Sequence, residues 1–340
     1  MSEHLVLLSG AEKTCGVEEF ARLSARHIGA QTQELGGPLK PAGDVILNLP
    51  IVAWKRRLVA PIVAGVRSRA SGRQLTLVLH EWADLALARR ISYLPLLLLA
   101  TRILFSSPEV MAQFDSTPVS RIVTRQRGVL PIPPNFTVPD WTQSSALSDK
   151  LAAERAKGRF VLAQFGSIYP RKDPMIVLDA AAEMVRRGID VHAIFVGSFI
   201  GDAIESEFRA RVDALGLERR VNVTGYVRSA PELYGIFAEV DAFLYPLSEG
   251  LTSRRASVLA AALSGRPVVV SAPQRADSFA HHRLFRTLLT SGGIHLVPRE
   301  ADASALADAV LATRGTQPVR TATPAAIDSV WDDVAAVLDA

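Results

Sequence analysis

Cysteine is nearly absent: Cys15 is the only one in 340 residues. That excludes an internal disulfide and any metal cluster built on cysteines, and it suits a reducing cytoplasm. Excess charge is small, with a formal net charge of +4. That is below what a dedicated nucleic-acid binder carries, and no aromatic-basic recognition motif accompanies it, so no nucleic-acid partner is expected. Long hydrophobic runs are missing too. The most apolar stretch, Tyr93 to Phe105, is interrupted by Arg102 and is too short to span a bilayer. The opening MSEHLVLLSG has an early acid and a short apolar run, which reads as a first strand and not as a signal peptide. No internal repeat or low-complexity tract is visible. Several familiar motifs are lacking as well. The Gly10–Gly16 loop, GAEKTCG, lacks the G-x-G-x-x-G of a nicotinamide dinucleotide site, and no Gly-Lys-Ser/Thr marks a Walker loop. There is no DxD-type carboxylate pair, and His192 and His281-His282 have no partner spacing for zinc. No metal and no resident cofactor are expected.

What is present is a full globular composition, 49% hydrophobic and 21% charged. Strand and helix patterns alternate in two blocks, the signature of α/β domains with parallel sheets covered on both faces. In the first block, strands are expected at His4–Gly10, Asp44–Pro50, Gln74–Glu81, Thr101–Ser107 and near Arg121–Arg127, with helices at Gly16–Gly29, 57–71, 83–99 and 108–114. Pro131, Pro133 and Pro134 end regular structure. The polar stretch Thr137–Lys157 reads in part as a linker. The second block predicts strands at Phe160–Ser167, Val191–Val196, Val221–Thr224, Ala242–Pro246, Pro267–Ser271 and Ile294–Val297. Its helices are expected near 173–187, 202–215, 230–239, 254–264, 278–290 and 303–313. An amphipathic helix closes the chain, with Ile327, Trp331, Val334 and Leu338 on one stripe. The expected division is two Rossmann-like domains, 1–145 and 155–318, followed by a helix at 325–340. Two such domains leave a cleft between their strand ends, a preferred ligand site.

Four constellations carry possible chemistry. The segment Tyr245–Ser271, YPLSEGLTSRRASVLAAALSGRPVVVS, places Glu249 at the carboxyl end of a strand, where open α/β sheets hold ligands. A polar turn follows, with Thr252 and Ser253, then Arg254 and Arg255 at a helix start that already favours an anion. Phosphate could be held by these cations and hydroxyls by Glu249, which fits a sugar nucleotide. The alternative is that the two arginines are exposed helix-cap residues paired with nearby acids. The second is Phe165-Gly166-Ser167-Ile168-Tyr169-Pro170-Arg171-Lys172-Asp173, between strand and helix. Gly166 permits close backbone approach, and Arg171 and Lys172 could meet a diphosphate; otherwise this is a solvated loop with two cations. The third, His80-Glu81, ends a first-block strand, where His80 can donate to a sugar hydroxyl or handle a proton, or simply be satisfied within the strand end. The fourth is the loop from Gly10 to Gly16, glycine-bounded and able to approach a ligand.

Basic clusters at Lys55-Arg56-Arg57, Arg67/Arg69/Arg73 and Arg89-Arg90 are either solvated helix faces or a contact with anionic lipid headgroups. Trp54 and the leucines at 94 and 96–99 lie close by in sequence, which suits the second reading.

Together these pieces resemble the two-domain GT-B glycosyltransferases of the family 4 type, the group 1 glycosyl transferases. The likeness covers most of the chain and is strongest from about 160 to 272. Gly166 and Lys172 match the family's glycine and lysine, with Ser167 where an arginine is usual. Phe195-Val196-Gly197 resembles the Ile-Val-Gly strand end, and Val223-Thr224-Gly225-Tyr226-Val227 resembles the turn that reads the nucleotide base. Asp241–Glu249 looks like the approach to the donor site. In the first domain, Gly16 and His80-Glu81 match acceptor-side positions, and Pro131–Asn135 resembles the stretch before the linker. Ser329 and Trp331 look like the Ser-Trp of a terminal helix that packs back on the first domain. The departure is at the second glutamate of the family's pair: counting back from Gly265-Arg266-Pro267 puts Ala260 there, beside the added Arg254-Arg255. The second glutamate usually holds the ribose.

The resemblance implies a metal-independent enzyme using a nucleotide-diphosphate sugar as co-substrate, with retention of anomeric configuration. The implied acceptor is a saccharide or lipid-linked saccharide, as in bacterial polysaccharide or glycolipid assembly. An enzyme in the cytoplasm, peripheral on the inner face of the membrane, would fit. A sugar-nucleotide epimerase of the same fold, or a non-catalytic nucleotide-sugar binding protein, are the alternatives.

Overall fold

The computed structural model describes residues 4–10, 16–34, 43–51, 58–134, 138–316 and 324–340. The loop 11–15 with Cys15, the Trp54-Lys55-Arg56-Arg57 cluster, and Asn135 lie outside the described residues. Two compact units emerge: residues 1–135, 277–282 and 327–340 form the first, and 136–276 with 283–326 the second.

The first unit opens with β1 (His4–Leu8), α1 (Gly16–His27), β2 (Gln31–Glu34) and β3 (Asp44–Leu49). It continues through α2 (Val59–Ala70), β4 (Leu75–Leu79), α3 (Leu87–Ser92), α4 (Leu94–Leu99), β5 (Arg102–Phe105), α5 (Pro108–Asp115), α6 (Val119–Ile122) and β6 (Gln126–Val129). The six strands are parallel in the order β2-β1-β3-β4-β5-β6. The central strands are buried along their whole length and mostly apolar, LTLVL in β4 and RILF in β5, because helices cover both faces. Three expectations are corrected here. The strand at Arg121–Arg127 is instead α6 followed by β6. Arg127 closes that turn by donating to the carbonyls of Ser120 and Val123 (2.7 and 2.8 Å) and by pairing with Asp115. The single helix at 83–99 is two, broken at Tyr93, because Pro95 has no N–H to continue the ladder. Strand β2 carried no sequence signal: QTQE is a polar edge strand, three of its four residues exposed.

The second unit contains α7 (Ala146–Ala156), β7 (Phe160–Phe165), a 3-10 turn (Pro170–Lys172), α8 (Pro174–Arg186), β8 (Val191–Val196) and α9 (Asp202–Ala214). Then come β9 (Val221–Val223), α10 (Ala230–Ala238), β10 (Ala242–Tyr245), α11 (Ala256–Leu263), β11 (Val268–Ser271), α12 (Arg283–Thr290), β12 (Ile294–Val297) and α13 (Ala303–Ala312). Its parallel order is β12-β11-β10-β7-β8-β9. The stretch read as a polar linker holds α7, begun by a capping box between Ser145 and Ser148 and anchored by buried Leu151. Helix α11 starts at Ala256, two residues later than expected, with Arg255 as its N-cap.

Helix α12 also starts late, at Arg283, because residues 277–282 belong to the first unit. There Ser278 Oγ donates to Glu109, and the His282 ring nitrogen Nε2 lies 3.0 Å from the carbonyl of Ile132. The last helix, α14 (Pro324–Asp339), is counted with the first unit from Ile327 onward. Its Trp331 stacks on His27 and Phe20 at 4.4 and 5.9 Å between ring centres, and Asp339 pairs with His4 at 2.8 Å.

Candidate functional site

The carboxyl ends of β7, β8 and β10 build one polar cluster within the second unit. Gly166 leaves β7 with φ at +102°, a region that L side chains avoid. A Cβ on Gly166 would collide with Lys172 Nζ and would stand 3.1 Å from Ser257 Cβ. The lysine ammonium thus occupies the space the glycine leaves open, and its Nζ donates to the Phe165 carbonyl at 3.0 Å. Lys172 is 5% exposed. Burial, helped by the neighbouring Arg255 guanidinium, pushes its pKa down to about 7.

The sequence placed Arg171 and Lys172 together against a ligand. The structure separates them: Lys172 is buried and Arg171 exposed. Consecutive residues of a 3-10 turn point about 120° apart, so both cannot face one spot. Ser167 is exposed as well.

Glu249 lies just past β10, and Arg255 clamps it directly, with Arg254 Nη2 at 3.9 Å from the same oxygen. Arg255 also donates to the Tyr169 hydroxyl at 2.8 Å, which ties the β10–α11 loop to the β7–α8 loop. The pairing expected as the alternative for these arginines is therefore present, and it joins the two constellations. Thr252 and Ser253 are buried, and Thr252 Oγ1 has no hydrogen-bond partner among the described residues. Gly250 has φ at +75°, and a side chain there would run into the carbonyl of Ala272.

Three groups escaped the sequence reading. Tyr245, fully buried at the end of β10, accepts from the Phe165 N–H at 3.2 Å and donates to the Ser257 carbonyl at 3.1 Å. Burial pushes its phenol pKa up, so it stays a neutral bridge between β7 and α11. Asp173 holds a left-handed backbone (φ 44°, ψ 54°) and accepts hydrogen bonds from the peptide and hydroxyl of Ser248; burial nonetheless raises its carboxyl pKa. A non-glycine residue in that conformation is a strained position kept by its surroundings. Ser257, one turn before Ala260, faces Gly166. The only sequence signal for these three was their position at strand ends and helix starts. Ala260 itself is fully buried, with its carbonyl accepting from Tyr234 Oη at 3.3 Å.

Next to this cluster, Gly197 ends β8 so close to β7 that a Cβ there would strike the Gly166 carbonyl. Its N–H donates to Thr224 Oγ1 at 3.1 Å, and that hydroxyl donates to the Gly225 carbonyl at 2.6 Å. Beyond the bond, Val227 is half-buried and Tyr226 stands 79% exposed.

The first unit has its own polar edge. His80 is 8% exposed; its Nε2–H donates to Asn48 Oδ1 at 3.0 Å, its carbonyl accepts from Ser106 Oγ, and Phe20 meets its ring edge-on. Glu81 is half-buried and Gly16, first residue of α1, is exposed. The carboxylate of Glu18 is also here, fully buried, accepting from the Ser9 N–H, the Ser9 hydroxyl and Arg22. Among the described residues no group of three His, Cys, Asp or Glu side chains could hold a metal ion.

Residues 159–313 match the family model of the group 1 glycosyl transferases. No curated protein matches the sequence. Among solved structures, Alr3699/HepE from Anabaena, in complex with UDP and glucose, aligns over 100% of both chains with a TM-score of 0.67 and 17% identity. WaaG, a glycosyltransferase involved in lipopolysaccharide biosynthesis, aligns over 97% of this chain and 95% of its own with a TM-score of 0.54 and 15% identity. A UDP-forming trehalose-phosphate synthase from Burkholderia xenovorans aligns over 93% and 73%, with a TM-score of 0.56 and 12% identity. The two parallel six-stranded sheets are those of the GT-B fold.

Proposed function

We propose that this protein is a group 1 glycosyltransferase that moves a sugar from a UDP-sugar to a saccharide or lipid-linked saccharide acceptor, without a metal ion and with retention at the anomeric carbon. The observation that carries the reading is the buried Lys172 ammonium in the space opened by Gly166, with Arg255 beside it and Glu249 paired to that arginine. The family match over 159–313 and the UDP complex of HepE support the donor class.

In the transfer, the bond between the anomeric carbon and the β-phosphate oxygen breaks, and a bond to the acceptor oxygen forms. The leaving diphosphate gains the electron pair, and the acceptor hydroxyl passes its proton to the departing phosphate oxygen. Lys172 and the amino end of α11 stabilise that growing negative charge; positive charge fixed in a dry site does so without reorganisation. Arg254 and Arg255 add to it once the diphosphate competes with Glu249 for them. Glu249, so released, accepts from the sugar hydroxyls, and Tyr226 and Val227 line the base. His80 and Glu81 serve the acceptor side of the reaction, with Gly16 opening its loop. The role of WaaG in lipopolysaccharide biosynthesis supports an acceptor of bacterial surface glycan assembly.

The test is UDP release from a panel of UDP-sugars, with and without saccharide acceptors. Acceptor-dependent release is expected. Conversion of the sugar to its epimer without acceptor, or tight UDP binding with no turnover on any acceptor, overturns the proposal. Glu249→Ala should lower kcat about 100-fold while changing the Kd for UDP less than threefold; wild-type turnover in that variant removes Glu249 from its role.

A further inference from the structure

Asp173 is the one described residue other than glycine with a positive φ. Elsewhere the chain meets that need with glycine, as at Gly166, Gly197 and Gly250. An aspartate in the left-handed region costs energy that glycine does not, so a compensating interaction is expected of its side chain. For an aspartate just before a helix, that interaction is ordinarily a cap. Asp173 is the N-cap residue of α8, yet its side chain makes no cap hydrogen bond. An ion pair does not account for it either. The groups that favour its charged form are the peptide and hydroxyl of Ser248, with no cation among them.

Those two bonds cross from the β7–α8 loop to the β10–α11 loop. The Asp173 end is fixed. Its N–H donates to the Pro170 carbonyl at 2.9 Å, and the preceding carbonyl, that of Lys172, accepts from the buried Gln164 side chain at 2.9 Å. The Ser248 end belongs to a turn. Gly250 N–H donates to the Leu247 carbonyl at 2.9 Å, which puts Ser248 and Glu249 at the two central positions. Past the turn, Leu251 N–H donates to the Ser271 carbonyl at 3.0 Å. Ser248 is exposed and, among the described residues, has no other hydrogen-bond partner.

We propose that Asp173 is a positioning residue for Glu249: its carboxylate fixes the outer corner of the Leu247–Gly250 turn and so sets where the next side chain, Glu249, starts from. Arg255 holds the far end of the glutamate, and Asp173 holds the backbone that carries it. When an anion draws Arg255 away, the turn keeps Glu249 in place. Because Asp173 follows Lys172 directly, one short segment sets both the buried ammonium and the carboxylate. The effect on turnover rests on the donor reading proposed above; the ordering of the turn does not.

Asp173→Gly is the informative variant, because it removes the carboxylate and also relieves the left-handed backbone. Its melting temperature is expected to stay or rise, while hydrogen exchange at the Ser248 and Gly250 amides of the ligand-free protein speeds up about tenfold. With a UDP-sugar, kcat should fall roughly tenfold and the Kd for UDP should stay within about threefold. Asp173→Asn keeps an acceptor oxygen and tolerates the left-handed conformation, so it should bring exchange back to within about threefold of wild type. A merely structural aspartate would instead lower the melting temperature and speed exchange throughout α8 and β10. That pattern overturns the proposal, as does unchanged exchange at Ser248 and Gly250 in Asp173→Gly. Wild-type kcat in Asp173→Gly overturns it too. Exchange is read without substrate, so a wild-type chain that turns over no donor counts against the donor reading, and the exchange rates still decide the role of Asp173.

Discussion

The two units each hold six parallel strands, in different orders, and differ in what they place at the carboxyl ends of those strands. In the first, the polar groups at the edge are neutralised locally: His80 rests on Asn48, and Glu18 is surrounded by donors from Ser9 and Arg22. In the second, positive charge is packed below the surface against other positive charge. Lys172 is buried beside Arg255, whose own carboxylate partner is Glu249. A buried cation with no carboxylate of its own, such as Lys172, costs stability that an arriving anion recovers. The first edge pairs its polar groups with one another; the second leaves a lysine buried beside an arginine.

That contrast breaks first at Lys172. Lys172→Ala should reduce kcat/KM for the UDP-sugar by about 100-fold or more, on the scale of a lost oxyanion donor, while circular dichroism remains native. Activity within threefold of wild type would mean that the second edge does not work by buried positive charge. The next largest effect is expected at Gly166→Ala. The new methyl group meets Lys172 and Ser257 at a residue with φ at +102°, so UDP affinity should drop by at least tenfold and stability by about 1–3 kcal/mol. An unchanged Kd in calorimetry would mean that the lysine has room elsewhere.

The contrast sharpens with pH. The Lys172 pKa in the free protein is lowered to about 7, so the lysine is mostly neutral above that pH. A bound diphosphate favours the ammonium and raises the pKa, so binding above pH 7 takes up a proton. Affinity for UDP should therefore fall as pH rises from 7 to 9, by up to about tenfold per unit. Calorimetry in buffers of different ionisation enthalpy reads the proton directly. Proton release on binding, or a flat profile between pH 6.5 and 9, contradicts the assignment. The smallest effect should come from the first edge: His80→Ala is expected to leave the Kd for UDP within twofold and to lower turnover by about tenfold. A large loss of UDP affinity would make the two edges alike.

The terminal helix offers a stability readout for the first unit alone. Trp331 stacks on His27 and Phe20, so Trp331→Ala should cost about 3–5 kcal/mol in urea unfolding.

How much could be read in advance depended on the physical signal each element carries. The strands of the second unit are runs such as VHAIFV and VVVS, buried on both faces, and their positions were legible to within two residues. Strand β2, polar and at an edge, left no apolar trace. Helix α7 hid in a polar stretch because one buried leucine and a serine cap suffice to hold it. At the site, Gly166, Lys172, Glu249 and Arg255 were legible from residue type at the carboxyl ends of strands. Tyr245, Asp173 and Ser257 were not, because what distinguishes them is whom they touch.

The sequence by itself determined the fold class, through alternating apolar runs and helical stripes, and it named the charged groups of the site. Only the tertiary structure decided which of those charges are buried. Arg171 and Lys172 are neighbours in the chain, yet a 3-10 turn sends one to solvent and the other behind Gly166. The titration of Lys172 near neutral pH follows from that burial and from Arg255, 83 positions later in the chain. Local chemistry is written residue by residue, whereas desolvation and charge pairing exist only once distant segments share a volume.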